Sequence, residues 1–177
     1  ADQSYDCPLD GCGEALEHEI AWITPSIDKA HRFTMNDAGS HITVTAARQD
    51  FGLEVGAPMI GTRQTDFRCA FTATIADPTQ LVSGTAGIAI YANANHYMTI
   101  AVHAADTVAI DATVHNAGLI SRVGGVHVPA GGPVRLIVRG DDYGYTFAVG
   151  TASDETTLGN APGKVLSFTN AGGFTGI

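Results

Sequence analysis

The chain has 177 residues, 45% of them hydrophobic and only 15% charged, with 21 glycines and a formal net charge of −9. That is length for one domain that buries about two thirds of its unfolded surface. The acidic balance excludes the Lys- and Arg-rich surface that nucleic acid or an anionic membrane requires. No apolar run approaches the ~18 residues of a spanning helix, and no signal-peptide pattern opens the chain.

The chain begins at Ala1 rather than Met, which reads as a processed or fragment boundary. Residues 1–20 have weak periodicity and read as an N-terminal arm or interdomain linker, with one or two helical turns expected over Glu14 to Ile20. Residues 21–177 are then the folded domain. Cys7 and Cys12 flank Pro-Leu-Asp-Gly and could close a small loop by disulfide, which with the acidic composition leans towards an extracellular location. Their spacing lacks a second Cys or His pair, so zinc is not expected.

Trp22-Ile-Thr-Pro-Ser-Ile opens the domain, and Ile42, Val44 and Ala46 alternate in a short strand. Arg48 to Ile60 reads as a loop. A long strand is expected from Thr65, because Phe67, Cys69, Phe71, Ala73 and Ile75 share one face and Asp66, Arg68, Ala70, Thr72 and Thr74 the other. On that dry face Cys69 is expected to be a buried free thiol.

Pro78 to Thr85 is a loop, Ala86 to Ala92 a strand, and Asn93-Ala-Asn95 a turn that Asn tolerates through its left-handed conformers. His96 to His103 runs back, Ala105-Asp106 turns, and Val108 to His115 alternates again. After Asn116-Ala-Gly118, two short strands are expected at Leu119–Val123 and Val126–Val128. Val134 to Arg139 is a strand, and Gly140-Asp-Asp a hairpin turn. Tyr143, Tyr145, Phe147 and Val149 then alternate, which places the two tyrosines on one strand face. Asp154-Glu155 reads as a loop. Turn signals every 8–12 residues without a long helix specify an all-β fold, a two-sheet antiparallel sandwich.

Motifs for chemistry are sparse. The seven histidines form no metal-ligand spacing, and no Gly-x-Ser-x-Gly elbow is present. Asp141-Asp142 admits two readings, a structural calcium ligand or a turn in which Asp bonds its own backbone; the turn is the simpler one. Asp6, Asp10 and Asp77 carry no loop signature that demands calcium. Glycoside hydrolysis needs two carboxyl groups about 5–9.5 Å apart. No strand carries such a set, so no catalytic residue is assigned and no independent activity is expected. Sugar binding would use aromatic faces and amides, which makes Tyr91, Asn93, Asn95 and Tyr97 the sugar-facing candidates; the rival reading puts these tyrosines in the core with their hydroxyls at its rim. Arg63-Gln64 either anchors the long strand or docks another domain.

The ordered set Trp22…Gly61-Thr-Arg-Gln-Thr-Asp-Phe…Ala86-Gly-Ile-Ala-Ile-Tyr…Asn95-His-Tyr…Gly132-Pro-Val-Arg-Leu-Ile-Val…Tyr145-Thr-Phe…Leu166-Ser…Gly173-Phe-Thr-Gly resembles the C-terminal sandwich of family 43 glycoside hydrolases, the β-xylosidases and α-L-arabinofuranosidases. The resemblance spans Trp22 to Ile177 and implies a concanavalin-A-like, jelly-roll fold. It also implies a partner, the catalytic five-bladed propeller that such domains follow, and xylo- or arabino-oligosaccharides as ligands. In some members an aromatic on the loop before the Ala-Gly motif reaches the propeller's active site. Here that loop, Thr79-Gln-Leu-Val-Ser-Gly-Thr, has none, which leaves Leu81 and Val82 as the residues that would cap a sugar pocket. Members continue past Phe-Thr-Gly into one more strand, so the ending at Ile177 reads as a truncation. The alternative function is a stand-alone, lectin-like carbohydrate-binding module.

Overall fold

A computed structural model describes residues 3–4, 33–35, 42–45, 59–81, 84–103, 107–150 and 154–172. The expected turns at Glu14 to Ile20, the Cys7–Cys12 loop, Trp22, Val82 and the closing Gly-Phe-Thr-Gly lie outside these residues. The chain divides into two compact units, one of Ala1–Tyr5 with Asp66–Gly176 and one of Asp6–Thr65 with Ile177.

Eleven strands are described: β1 (Gln3–Ser4), β2 (Phe33–Met35), β3 (Ile42–Val44), β4 (Cys69–Ile75), β5 (Thr85–Asn93), β6 (His96–His103), β7 (Val108–Asn116), β8 (Leu119–Val128), β9 (Val134–Gly140), β10 (Gly144–Gly150) and β11 (Glu155–Pro162). In the smaller unit β2 and β3 pair antiparallel, Phe33 opposite Val44.

The larger unit is a sandwich of two sheets. One has five strands in the order β1-β4-β9-β10-β11, the other four in the order β5-β6-β7-β8. The four-stranded sheet is an antiparallel meander. The five-stranded sheet is antiparallel except that β1 runs parallel to β4. Alternation explains the core. From one sheet Ile88, Met98, Ile100, Val102, Ile110, Ala112 and Val114 face inward; from the other come Val134, Leu136, Val138, Phe147 and Val149, and all belong to one buried cluster. Met98, Ile100, Val102, Leu136 and Phe147 are wholly buried, and each such side chain stabilises the fold by about 1.5–3 kcal/mol.

Strand β4 is shorter than its alternation suggests. Phe71, Ala73 and Ile75 pack on the core, but Phe67 is 73% exposed. The reason lies just upstream of the strand. The Asp66 carboxylate accepts the Arg68 backbone N–H at 3.0 Å, which bends the chain, and the ladder with β9 begins only at Cys69 opposite Gly140. Cys69 is a free thiol, half-buried rather than fully so, and that partial burial pushes its pKa up.

The two short strands expected after Gly118 are one strand, β8, and the presumed loop at Asp154-Glu155 opens β11. Both revisions have one cause. The ladder of β7 with β8 shifts register between Ala112 and Thr113, which leaves Val123 as an extra residue. The ladder of β10 with β11 shifts at Phe147/Ala148, which leaves Leu158 extra. These bulges bring the edges of the two sheets together. A Cβ on Gly124 would lie 2.0 Å from the Leu158 carbonyl oxygen, and one on Gly159 would lie 2.7 Å from Val123 Cγ1. Gly124, one of the two glycines that interrupt the pattern of β8, is what lets its backbone touch β11.

The hairpins follow their turn chemistry. Ala117 and Gly118, at φ 50° and 86°, form the tight turn between β7 and β8. Between β9 and β10 the Asp141 carboxylate accepts the backbone N–H groups of Tyr143 at 2.7 Å and Gly144 at 2.9 Å. These bonds hold its pKa below the usual carboxylate value. Tyr143 therefore belongs to the turn and is 88% exposed, while Tyr145 packs on the core; the two do not share a strand face.

Two substitutions probe this packing. Phe147→Ala empties a fully buried site and is expected to cost about 3–5 kcal/mol. Gly124→Ala drives a methyl into the β11 backbone and is expected to cost about 1–3 kcal/mol. Urea unfolding of each variant measures both, and an unchanged midpoint for Gly124→Ala would contradict the close approach described above.

Candidate functional site

The outward face of the four-stranded sheet carries the polar rows, because the register sets residues of β5 to β8 side by side. Tyr91 lies opposite Tyr97, and Tyr97 opposite His115. The Tyr97 ring stacks on His115, centroids 4.0 Å apart and 15° between planes, and meets Tyr91 at 6.2 Å. Tyr97 is only 7% exposed, and Tyr91 is half-buried. In the next row Thr99 Oγ1 and Thr113 Oγ1 are hydrogen-bonded at 2.7 Å, and His115 Nε2 lies 3.2 Å from Thr113 Oγ1. In the row beyond, Arg122 donates from Nε to Asp111 Oδ1 at 2.7 Å, and His103 Nε2 lies 3.7 Å from Asp111 Oδ2. Burial holds the His115 pKa below 6.5, because removing water disfavours the charged ring.

Asn93 and Asn95 sit at the end of the β5–β6 hairpin. Asn93 Oδ1 accepts the Asn95 backbone N–H at 2.9 Å and lies 3.1 Å from His96 Nδ1, while Asn93 Nδ2 donates to the Ala171 carbonyl at 2.9 Å. Asn95 gives its carbonyl to the Ala117 N–H at 2.9 Å. His96 is buried at 8% exposure, with its ring nitrogen against the Asn93 side chain.

Leu81 lies at the other end of β5, separated from Asn93 by a strand roughly 30 Å long at about 3.3 Å per residue. It closes a 3₁₀ turn over Pro78–Gln80 and packs against the core. Asp77 fixes that turn, accepting from Thr79 N–H at 3.0 Å, Thr79 Oγ1 at 2.6 Å and Gln80 Nε2 at 3.0 Å, bonds that keep its pKa low. The fold thus brings Tyr91, Asn93, Asn95 and Tyr97 together and keeps Leu81 apart. Arg63, exposed, and Gln64, half-buried, belong to the smaller unit. Sequence reasoning had missed the roles of His115 and of the Asp111–Arg122 pair. Only the strand register reveals them.

The carboxylates of the larger unit are largely committed to neighbours. Asp142 pairs with Arg68 at 3.1 Å. Glu155 takes both arms of Arg139, at 2.5 and 2.8 Å, which lowers the carboxyl pKa and raises that of the guanidinium. Among the described residues no three or more His, Cys, Asp or Glu side chains gather as a metal site.

At the hairpin end, a 3₁₀ turn over Gly163–Leu166 and a single helical turn over Phe168–Ala171 bridge the two sheets. Gly163 N–H donates to the Tyr143 carbonyl at 2.9 Å, and Asn170 Nδ2 donates to Asn116 Oδ1 at 3.1 Å.

Comparison with known proteins agrees with this architecture. A family model described as the β-xylosidase C-terminal concanavalin A-like domain matches residues 15–177. Solved structures with the same fold include a GH43_12 protein retrieved from a capybara gut metagenome, with a TM-score of 0.81 at 19% identity over 88% of this chain and 30% of that one. The Bacteroides ovatus xyloglucan PUL GH43B protein aligns with a TM-score of 0.80 at 18% identity, over 89% of this chain and 31% of its own. GH43 BlXynB from Bacillus licheniformis gives 0.75 at 14% identity, over 86% and 30%. This chain therefore spans about 30% of the length of these proteins. No curated protein matched.

The depressed His115 pKa makes a signed prediction. Below about pH 6.5 the unfolded chain takes up a proton that folded His115 resists, so stability present above that pH falls as the pH drops towards the lower folded value. His115→Phe keeps a ring against Tyr97 but cannot be protonated. Its urea midpoint is expected to fall less than that of the parent chain between about pH 7 and 5, and equal losses would remove His115 from the account.

Proposed function

Because the chain belongs to the family of β-xylosidase C-terminal concanavalin A-like domains, we propose that it serves a GH43 glycoside hydrolase acting on xylan- or arabinan-type carbohydrates by packing on the catalytic propeller and shaping its substrate pocket. The observation that carries this reading is one of proportion. The family match covers residues 15–177, while the same fold occupies only about 30% of the GH43 structures it resembles.

The committed carboxylates support a contribution of shape rather than proton transfer. Asp77, Asp111, Asp141, Asp142 and Glu155 are each held by a hydrogen bond or ion pair. Their lone pairs are occupied, and the hydrogen bonds to Asp77, Asp141 and Glu155 also lower the pKa of those three, the opposite of what a general acid needs. In this reading the Pro78–Thr85 loop, whose sequence includes Leu81 and Val82, walls part of the pocket and helps to exclude water. Arg63 and Gln64 dock the partner domain.

The test is an assay of the isolated chain, and of a longer GH43 protein carrying it, on aryl β-xylosides and α-L-arabinofuranosides. The isolated chain is expected to show no turnover. Removing it from the longer protein is expected to lower kcat/KM at least about tenfold, the scale of lost positioning. Turnover by the isolated chain that a point substitution within it abolishes would overturn the proposal.

A further inference from the structure

We infer that the depression lined by Asn116, Lys164, Val165, Ser167, Thr169 and Asn170 is a binding site for a carboxylate-bearing sugar, a uronate. Its volume is about 330 Å³, which is at the small end of ligand pockets, roughly 300–1,000 Å³, and suits one sugar ring with its substituents.

The chemistry of the lining selects the ligand. Arg68, Arg122 and Arg139 are each spent on a carboxylate. The Lys164 ammonium has no such partner among the described residues, and its backbone carbonyl accepts the Ser167 hydroxyl at 2.7 Å. One unpaired cation calls for one anionic group. The rest of the lining is neutral and hydrogen-bonding. Asn170 Nδ2 is used twice, donating to Asn116 Oδ1 at 3.1 Å and to the Val165 carbonyl at 2.9 Å. That leaves Asn116 Nδ2 as a donor and Asn170 Oδ1 as an acceptor without partners among the described residues. Thr169 Oγ1 lies 3.1 Å from Ser167 Oγ and keeps a lone pair to offer. A donor, two acceptors and an ammonium group match a ring of hydroxyls bearing one carboxylate. A phosphate would want more than one cation, and a neutral sugar would leave the ammonium unmatched.

The site is also built before any ligand arrives. Its lining segment is tied to both sheets, by Gly163 N–H to the Tyr143 carbonyl and by Asn93 Nδ2 to the Ala171 carbonyl. Val165 is the buried apolar residue of the lining, at 8% exposure. This site is separate from the proposed docking role, so its failure would leave that role standing.

The test is a titration of the full chain with D-glucuronate, D-glucose and acetate, followed by calorimetry and by the side-chain amide signals of Asn116 and Asn170. Glucuronate is expected to saturate in the millimolar range and to move both amide signals, with glucose and acetate each at least about tenfold weaker. Lys164→Gln is expected to weaken glucuronate about tenfold without moving the unfolding midpoint, since Lys164 is exposed, and Lys164→Arg to retain most of it. No saturation by about 50 mM, glucose or acetate binding as well as glucuronate, or full binding by Lys164→Gln would each overturn the assignment.

Discussion

The close approach of β8 and β11 is the constraint on which the sandwich depends. Two sheets stacked about 10 Å apart leave an open seam wherever their edge strands stand off. Here each edge strand carries a bulge, at Val123 and Leu158, and each bulge has a glycine beside it, Gly124 and Gly159. With no side chain between them the two backbones meet, and Val123 and Leu158 turn their apolar groups onto the core. The seam is closed by removing bulk rather than by adding it.

Closure at that seam explains how polar groups are used elsewhere. A sandwich whose core cluster is apolar puts the charged side chains of the described strands on its outer faces or at its ends. There the groups pair with one another: Asp111 with Arg122, Thr99 with Thr113, Glu155 with Arg139. Paired this way they tie rows of side chains together across the strands. This pairing is what the proposed reading of the domain, as one that supplies surface and shape, rests on.

The hairpin end differs from the seam. Two short turns after β11 bridge the sheets through amide groups, Asn93, Asn116 and Asn170, beside the apolar packing of Val165 and Leu166 into the core. Amides have donors and acceptors in excess, so a few are left over once the bridge is made. Lys164 stands among them without a carboxylate partner in the described residues. The groups of the proposed site therefore collect where amides join the apolar packing in tying the two sheets together.

Alternation in the sequence determined the strands of the meander, since His96 to His103 and Val108 to His115 repeat every second residue and need no partner to be recognised. Turn chemistry likewise determined the Asn93-Ala-Asn95 and Gly140-Asp-Asp hairpins, because Asp and Asn carry the bonds that make the turn. Of the sugar-facing candidates, the nearness of Tyr91 to Tyr97 across the Asn93 turn was legible, because a two-strand hairpin is local. The His115 stack and the Asp111–Arg122 pair were not, for they exist only once β7 takes its register between β6 and β8. Tertiary structure alone decided β11, whose Thr156-Thr-Leu-Gly-Asn has no apolar alternation and is a strand because β10 and the β8 seam supply its partners. It also decided that Phe67 lies outside β4. A residue's period states which face it would take in a strand, but only a hydrogen-bonding neighbour states whether the strand is there.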